Sequence, residues 1–310
     1  MENFDFSVIV CCYNSDLEKL KKTIISIVKQ KGVSAEIIIA DDGSEDRTVE
    51  QIKNWVVENN IENVRYSFLA ENVGTVKNIV MATKMAQGTY IKTISPGDYL
   101  FNESSLKQYL TKFNQGHYQL LFANAVYYTP DHKIKSKGNP AGTGTKYRAF
   151  MKKNLCQFCD GFLGATTAYH RDALKYLEEL VGVVRLLEDY PLTYLMLMNN
   201  EKVGFINQYL IWYECNTGVS TTAGGAKIIS DFTNFFNYLE TKYQNNKKVK
   251  KTIKFLQLAK LKSKNKVLLC FINPSYFFFL LDCLVTWCCR KFSHAVKRID
   301  SKKLDLITKL

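Results

Sequence analysis

Ile37-Ile38-Ile39-Ala40-Asp41-Asp42-Gly43-Ser44-Glu45-Asp46-Arg47-Thr48 is an apolar run of strand length that stops in two carboxylates and a glycine. The residues after the glycine read as a helix start, with Ser44 or Asp46 placed to cap a helical segment through about Glu58. Strand, acidic turn and helix, in that order, make up the arrangement in which an open α/β sheet presents a ligand site at the carboxyl ends of its strands. A carboxylate there can accept a hydrogen bond from a nucleobase N–H or a ribose hydroxyl. Taken alone, Asp-Asp-Gly-Ser is also good Asx-turn chemistry, since an aspartate side chain readily binds nearby backbone amides.

The flanking sequence extends the pattern. Strand candidates at 6–12, 35–40, 63–69, 89–94 and 119–128 alternate with helix-like segments. Such alternation predicts a mostly parallel sheet with helices on both faces. The helix expected at 16–30 carries Leu17, Leu20, Ile24, Ile27 and Val28 at helical spacing, with lysines opposite, which is a core-facing stripe. Residues 129–145, rich in Pro, Gly, Lys and Thr, read as a long loop. Residues 156–170 lead into a helix from about Arg171, and 225–265 read as helical and increasingly basic. There is no internal repeat.

Charge divides the chain unevenly. The net charge is +13, and residues 245–310 hold 16 Lys and Arg against 3 Asp and Glu, while the first 244 residues are neutral. A basic tail suits an anionic membrane surface or nucleic acid. For nucleic acid the charge stands by itself, without an RNA-binding motif or a groove-reading helix, and that class is set aside.

Between the lysine runs lies 267–289, with Phe277-Phe278-Phe279-Leu280-Leu281 and Trp287. Asn273-Pro274 and Asp282 interrupt it, leaving 14 residues from Tyr276 to Cys289. A membrane span needs about 20 apolar residues, so the expectation is a helix lying in the membrane interface. The competing reading is a helix that buries its aromatics against the rest of the chain or against a second copy of it. Nine cysteines with a single Cys-x-x-Cys, Cys156 and Cys159, exclude a four-cysteine zinc site. With no signal-type run at the N-terminus, the expected setting is reducing and cytoplasmic, peripheral on the inner face of the cell membrane.

Five motifs occur in a telling order: Ser7-Val8-Ile9-Val10-Cys11-Cys12-Tyr13-Asn14, Asp41-Asp42-Gly43-Ser44, Asn72-x-Gly74, Gly88-Thr89-Tyr90-Ile91 and, far downstream, Glu188-Asp189. Together they resemble the inverting glycosyltransferases of family 2, with the GT-A fold and of the bacterial cell-surface polysaccharide type, over roughly residues 5–220. The resemblance implies a GT-A catalytic domain at 1–222 and a helical, basic, membrane-associating region at 223–310.

It also implies roles. The substrate-binding residues would be Cys12, Tyr13, Asn14, Asp41, Asp42, Gly74, Lys77 and Gly97, with backbone near Cys12 and Tyr13 and the Asp41 carboxylate on the nucleotide, and Asp42 supporting the turn. Ile79 and Val80 stand where many members carry Arg-Asn, which leaves Lys77 as the basic residue nearest the donor or simply an exposed helix lysine. The family's Asp-x-Asp-Asp reads Ser95-Pro96-Gly97-Asp98 here, so Asp98 is the single expected ligand of Mg²⁺ or Mn²⁺. Asp189, with Glu188 beside it, is the expected general base at a helix start. Gly218 and Ser220, in a segment that often closes over the donor, would let backbone approach the diphosphate.

The implied partners are a nucleotide-sugar donor, expected to be UDP-linked, a saccharide or lipid-linked acceptor and an anionic membrane surface, with a second copy of the chain left open. The departure at Ser95-Pro96-Gly97 equally suits a non-catalytic subunit that binds a nucleotide-sugar.

Overall fold

The computed structural model describes residues 4–45, 47–131, 133–137, 163–215, 225–247, 249–250, 252–253, 300 and 302–309, together with Phe271, Phe277 and Leu281. Strand β1 (Phe6–Cys12) is the middle of the first half of the sheet, with every residue except Cys11 buried. A strand covered on both faces needs a nearly continuous apolar run, and this one has it, with Ser7 the polar exception, its hydroxyl donating to Glu36 Oε1 (2.6 Å). It pairs in parallel with β2 (Ala35–Asp41) on one side and β4 (Tyr90–Ile94) on the other, and β3 (Val64–Phe68) continues beyond β2. Parallel neighbours require crossovers. Helices α1 (Leu17–Val28), α2 (Thr48–Glu58) and α3 (Thr75–Thr83) supply them in turn.

The chain then makes β5 (Tyr99–Leu100), α4 (Ser105–Asn114), β6 (Leu120–Tyr128), β7 (Ile134–Lys137), β8 (Thr167–His170), α5 (Leu174–Leu180), α6 (Asp189–Met198), β9 (Val203–Glu214), α7 (Gly225–Lys242) and α8 (Lys302–Thr308). The nine strands lie in the order β3-β2-β1-β4-β8-β6-β9-β5, with β7 on β6. β8 runs antiparallel between β4 and β6 and joins a parallel half-sheet to a mixed one.

Alternation along the strands sorts the core into two layers. Ile9 and Ile38 face α3, α5 and α6, where Val76, Leu177 and Leu195 are buried. Val8, Val10, Ile37 and Ile39 face α1, α2 and α4, where Leu20, Ile24, Ile52 and Tyr109 are buried. Leu17, Leu20, Ile24 and Ile27 of the stripe read from α1 face this core, whereas Val28, the last residue of the helix, is exposed; Asp16 caps the helix by accepting the Lys19 N–H (3.0 Å).

Three local readings change. Ser44 does not cap α2, which starts at Thr48 behind Arg47; its hydroxyl is used in the acidic turn instead. Asp46 lies outside the described residues. Part of the expected loop at 129–145 is strand β7, paired with β6. From Arg171 the chain first makes a 3₁₀ turn, and α5 begins at Leu174.

Two helices of the C-terminal region dock on the fold, the first against α5 and α6 and the second against the sheet. Helix α7 puts Phe235 and Leu239 into the first core layer. Helix α8 puts Leu304 and Ile307 against Tyr99, Val126, Tyr128 and Trp212, and the Leu306 carbonyl accepts Lys29 Nζ (2.7 Å). Most of the expected interfacial segment 267–289 lies outside the described residues. Within it Phe271, Phe277 and Leu281 are helical and exposed (79%, 50% and 45%). Among the described residues, no helix is long and apolar enough to cross a membrane.

Candidate active site

The carboxyl ends of β1, β2 and β4 open on one cleft of about 370 Å³. Cys12, Tyr13, Asp42, Asp98 and the pair Glu188-Asp189 all line it. The chain scatters these residues from one end of the catalytic region to the other; the strand order gathers them.

The acidic turn is locked by its own side chains. Asp41 Oδ2 accepts the Ser44 N–H (2.8 Å) and Asp41 Oδ1 accepts the Ser44 hydroxyl (2.5 Å). Ser44 Oγ accepts the Asn14 N–H (2.8 Å), and Asn14 Oδ1 accepts the Glu45 N–H (3.0 Å). Asn14 and Asp41 thus tie the turns after β1 and β2 together, and neither is on the cleft wall. Asp42 is on that wall, and its two oxygens also accept the N–H groups of Val73 (2.8 Å) and Gly74 (2.9 Å). Asp41, expected on the nucleotide, is thus taken up by the turn, and Asp42, expected to support the turn, is the one that faces the cleft. A serine three residues beyond Asp41 makes an Asx turn, and the turn consumes that carboxylate.

Gly74 begins α3 with φ of 93°, and a Cβ there would lie 2.3 Å from Arg185 Cγ and 2.7 Å from the Arg185 carbonyl oxygen. Its place is structural: it lets the segment before Glu188 pass close to α3. Lys77 does not reach the cleft. It is exposed, and the residues α3 presents to the cleft are Thr75, Asn78 and Ile79. Gly97 lies behind the wall, its N–H donating to Thr23 Oγ1 (3.3 Å) and its carbonyl accepting the Tyr128 hydroxyl.

Asp98 closes the floor. Its Oδ1 accepts the Glu214 N–H (3.0 Å), which links the end of β4 to the end of β9. Burial pushes the Asp98 carboxyl up to about 7, against the opposing pull of that N–H and of Lys92. Lys92, in mid-strand and fully buried, donates from Nζ to the carbonyls of Thr93 and Ala165 (2.8 Å to Ala165). Burial brings the lysine down to about 7, with Asp98 opposing.

The donor set for a divalent cation is thin. Of the four motif positions only Asp98 brings a carboxylate, and the nearby Glu214 is paired with Lys19 Nζ (2.7 Å). Among the described residues, no group of three or more His, Cys, Asp or Glu could hold a metal ion. The residues fit a hard cation through one carboxylate only, so diphosphate oxygens and water would have to complete its shell.

Asp189 starts α6, half-buried, with Oδ1 accepting the Tyr190 N–H (2.7 Å) and Oδ2 accepting the Gly164 N–H (3.2 Å). Burial raises its pKa in spite of those bonds. Glu188 is pushed up to about 8 by burial and then by the Asp189 charge. A carboxylate at a helix start would ordinarily be stabilised as the anion. Desolvation wins here and raises the proton affinity of both carboxyls.

Three contributors escape a reading of the sequence: Lys92, Gly164 and Glu214. Lys92 did carry a signal, being a charge amid Tyr90-Ile91 and Thr93-Ile94 in a strand buried on both faces. Gly218 and Ser220 lie outside the described residues.

A sequence model described as glycosyl transferase family 2 matches residues 7–177. An uncharacterized glycosyltransferase of Haemophilus influenzae is 29% identical over 121 residues, which cover 39% of this chain and 47% of that protein. One of Mycoplasma genitalium is 30% identical over 105 residues, or 33% of this chain and 34% of that protein. The matched segment thus spans less than half the length of either relative.

S. aureus TarS 1–349 in complex with UDP superposes with a TM-score of 0.53 at 19% identity, covering 84% of this chain and 73% of that one. The complex of the same protein with UDP-GlcNAc gives 0.56 at 18% identity, with 91% and 81% covered. At such identities the likeness is one of fold, and it matches the curled, mostly parallel GT-A sheet.

Proposed function

The chain belongs to glycosyl transferase family 2, and from that premise we propose that it moves a sugar from a nucleotide-sugar to an acceptor hydroxyl with inversion at the anomeric carbon. The observation that carries the reading is a single cleft, at the strand ends, walled by Asp42, Asp98 and Glu188-Asp189.

In this mechanism the ionised Asp189 carboxylate takes the proton of the acceptor hydroxyl. The hydroxyl oxygen forms its bond to the anomeric carbon on the face opposite the diphosphate. The carbon–oxygen bond to the diphosphate breaks, and the diphosphate leaves with the electron pair. No covalent enzyme intermediate forms. Gly164 N–H and the Asp189–Tyr190 backbone hold the base in place, and the apolar groups around it keep its proton affinity high. A divalent cation, Mg²⁺ or Mn²⁺, bound through Asp98 would supply positive charge against the leaving diphosphate. The donor is proposed to be UDP-linked, a choice supported by the UDP and UDP-GlcNAc complexes of TarS, which has the same fold.

The acceptor is proposed to be a saccharide or lipid-linked glycan of the cell surface, met on the inner face of the membrane. The basic C-terminal region and the exposed Phe271, Phe277 and Leu281 support that setting. A second reading, a non-catalytic subunit that binds the donor without turning it over, is favoured by the single carboxylate at 95–98.

One experiment separates the two. UDP-sugars are screened by thermal shift with and without Mn²⁺, since ligand binding raises stability by mass action. Those that bind are then assayed for UDP release. Release supports transfer, binding without release supports the second reading, and absence of binding to any nucleotide-sugar contradicts both. Sedimentation with anionic vesicles, lost on deletion of 267–289, tests the membrane assignment.

A further inference from the structure

Arg185-Leu186-Leu187 leads directly into Glu188-Asp189, and its three backbone N–H groups all end on one side chain. Asp231, on α7 and 4% exposed, accepts the Arg185 N–H at Oδ1 (3.0 Å) and those of Leu186 (2.6 Å) and Leu187 (3.0 Å) at Oδ2. The segment is also pinned from the far side. The Arg185 carbonyl accepts the Val76 N–H (3.1 Å), and its guanidinium donates to the Asn72 carbonyl (2.8 Å) and side-chain oxygen (2.5 Å).

A carboxylate on the buried face of a helix is costly unless it is well bonded. Ile228, Asp231, Phe235 and Leu239 succeed one another at helical spacing, so the acid stands where an apolar residue would pack at no such cost. Charge-assisted bonds to three consecutive amides are strong enough to offset that cost, and they leave the backbone few alternatives.

We propose that Asp231 is a positioning residue for the general base: it fixes the entry of the chain into α6 and thereby the place of the Asp189 carboxylate. The inference rests on the reading of Asp189 as the base and deepens it. It lies outside the segment matched by the family, which ends at residue 177. It also makes α7 part of the catalytic unit.

The test uses the full chain, with UDP release from UDP-GlcNAc as the activity probe and amide hydrogen exchange as a readout independent of activity. In Asp231→Asn the side-chain N–H₂ is turned onto backbone N–H donors. Exchange should then quicken at 185–190 and stay unchanged in β1 and β2. The turnover number should fall about 10- to 100-fold, in keeping with the sensitivity of catalysis to displacements of about 1 Å, while KM for the donor stays within about twofold.

Unchanged exchange at 185–190 overturns the strap, and faster exchange with unchanged turnover overturns the positioning role. Should Asp231→Asn fail to fold, Asp231→Glu keeps the charge on a longer arm. The same split is expected there at about three- to tenfold, and kinetics equal to wild type overturn the proposal. If the wild-type chain itself releases no UDP, the glycosyl-transfer reading fails for this donor, while exchange still decides the strap.

Discussion

The two walls of the cleft draw on different numbers of chain segments. On the wall that carries Asp42, the holding groups belong to one neighbouring segment: the N–H groups of Val73 and Gly74, one strand away, while Asp41 behind the wall is held by Ser44. On the opposite wall the holding groups come from three separate segments: Gly164 for Asp189, Lys92 for the Ala165 carbonyl, and Asp231 for the backbone before Glu188. The difference fits the roles proposed for the two walls. A nucleotide pocket at strand ends follows from the topology itself. A base that must be desolvated yet fixed has to be enclosed, and enclosure takes elements that meet only after the sheet has formed.

Breaking the base wall at its centre should give the largest effect. Asp189→Asn is expected to lower turnover by about 10²- to 10⁴-fold, as loss of a general base does, with UDP affinity unchanged by calorimetry. Next comes the seam between the walls. Gly74→Ala drives a Cβ into Arg185 at positive φ and should cost about 2–3 kcal/mol in denaturant unfolding. Gly182→Ala is the control, because its φ is 84° but nothing lies within 4 Å of the added Cβ; the strain alone should cost about 1 kcal/mol. Equal costs at the two positions would mean that the walls are not packed together there.

The third test is pH. Burial raises the proton affinity of Asp189, and the base works only when ionised. Turnover should therefore fall on acidification at a pH above the ordinary carboxylate value of about 4, by about tenfold per unit on the limb. A limb at about 4 would mean that the base is exposed to water. The smallest effect belongs to Lys92→Met, which fills the same space but leaves the Thr93 and Ala165 carbonyls without that donor. It should cost about 1–2 kcal/mol and leave UDP affinity intact.

The same contrast explains what could be read before the structure. Strands β1 to β4 and β6 were legible within a residue or so of their ends, because β1, β2 and β6 are largely apolar and β3 and β4 are rich in β-branched and aromatic residues, each bounded by turn residues. The short β5, β7 and β8 have no such run and exist because a neighbour offers an edge. Glu188-Asp189 was legible through family resemblance, but not through any local rule. Which of Asp41 and Asp42 faces the cleft was not legible, since either can close a turn and only the path of 72–74 past Asp42 decides. Asp231 was hidden for the same reason: its partners lie 44 to 46 residues away.

The most direct measurement is the anomeric configuration of the sugar released from an α-linked UDP-sugar, followed by proton NMR before mutarotation erases it. In-line displacement assisted by Asp189 predicts that the β anomer appears first. First appearance of the α anomer would contradict the mechanism and, with it, the role assigned to the base wall.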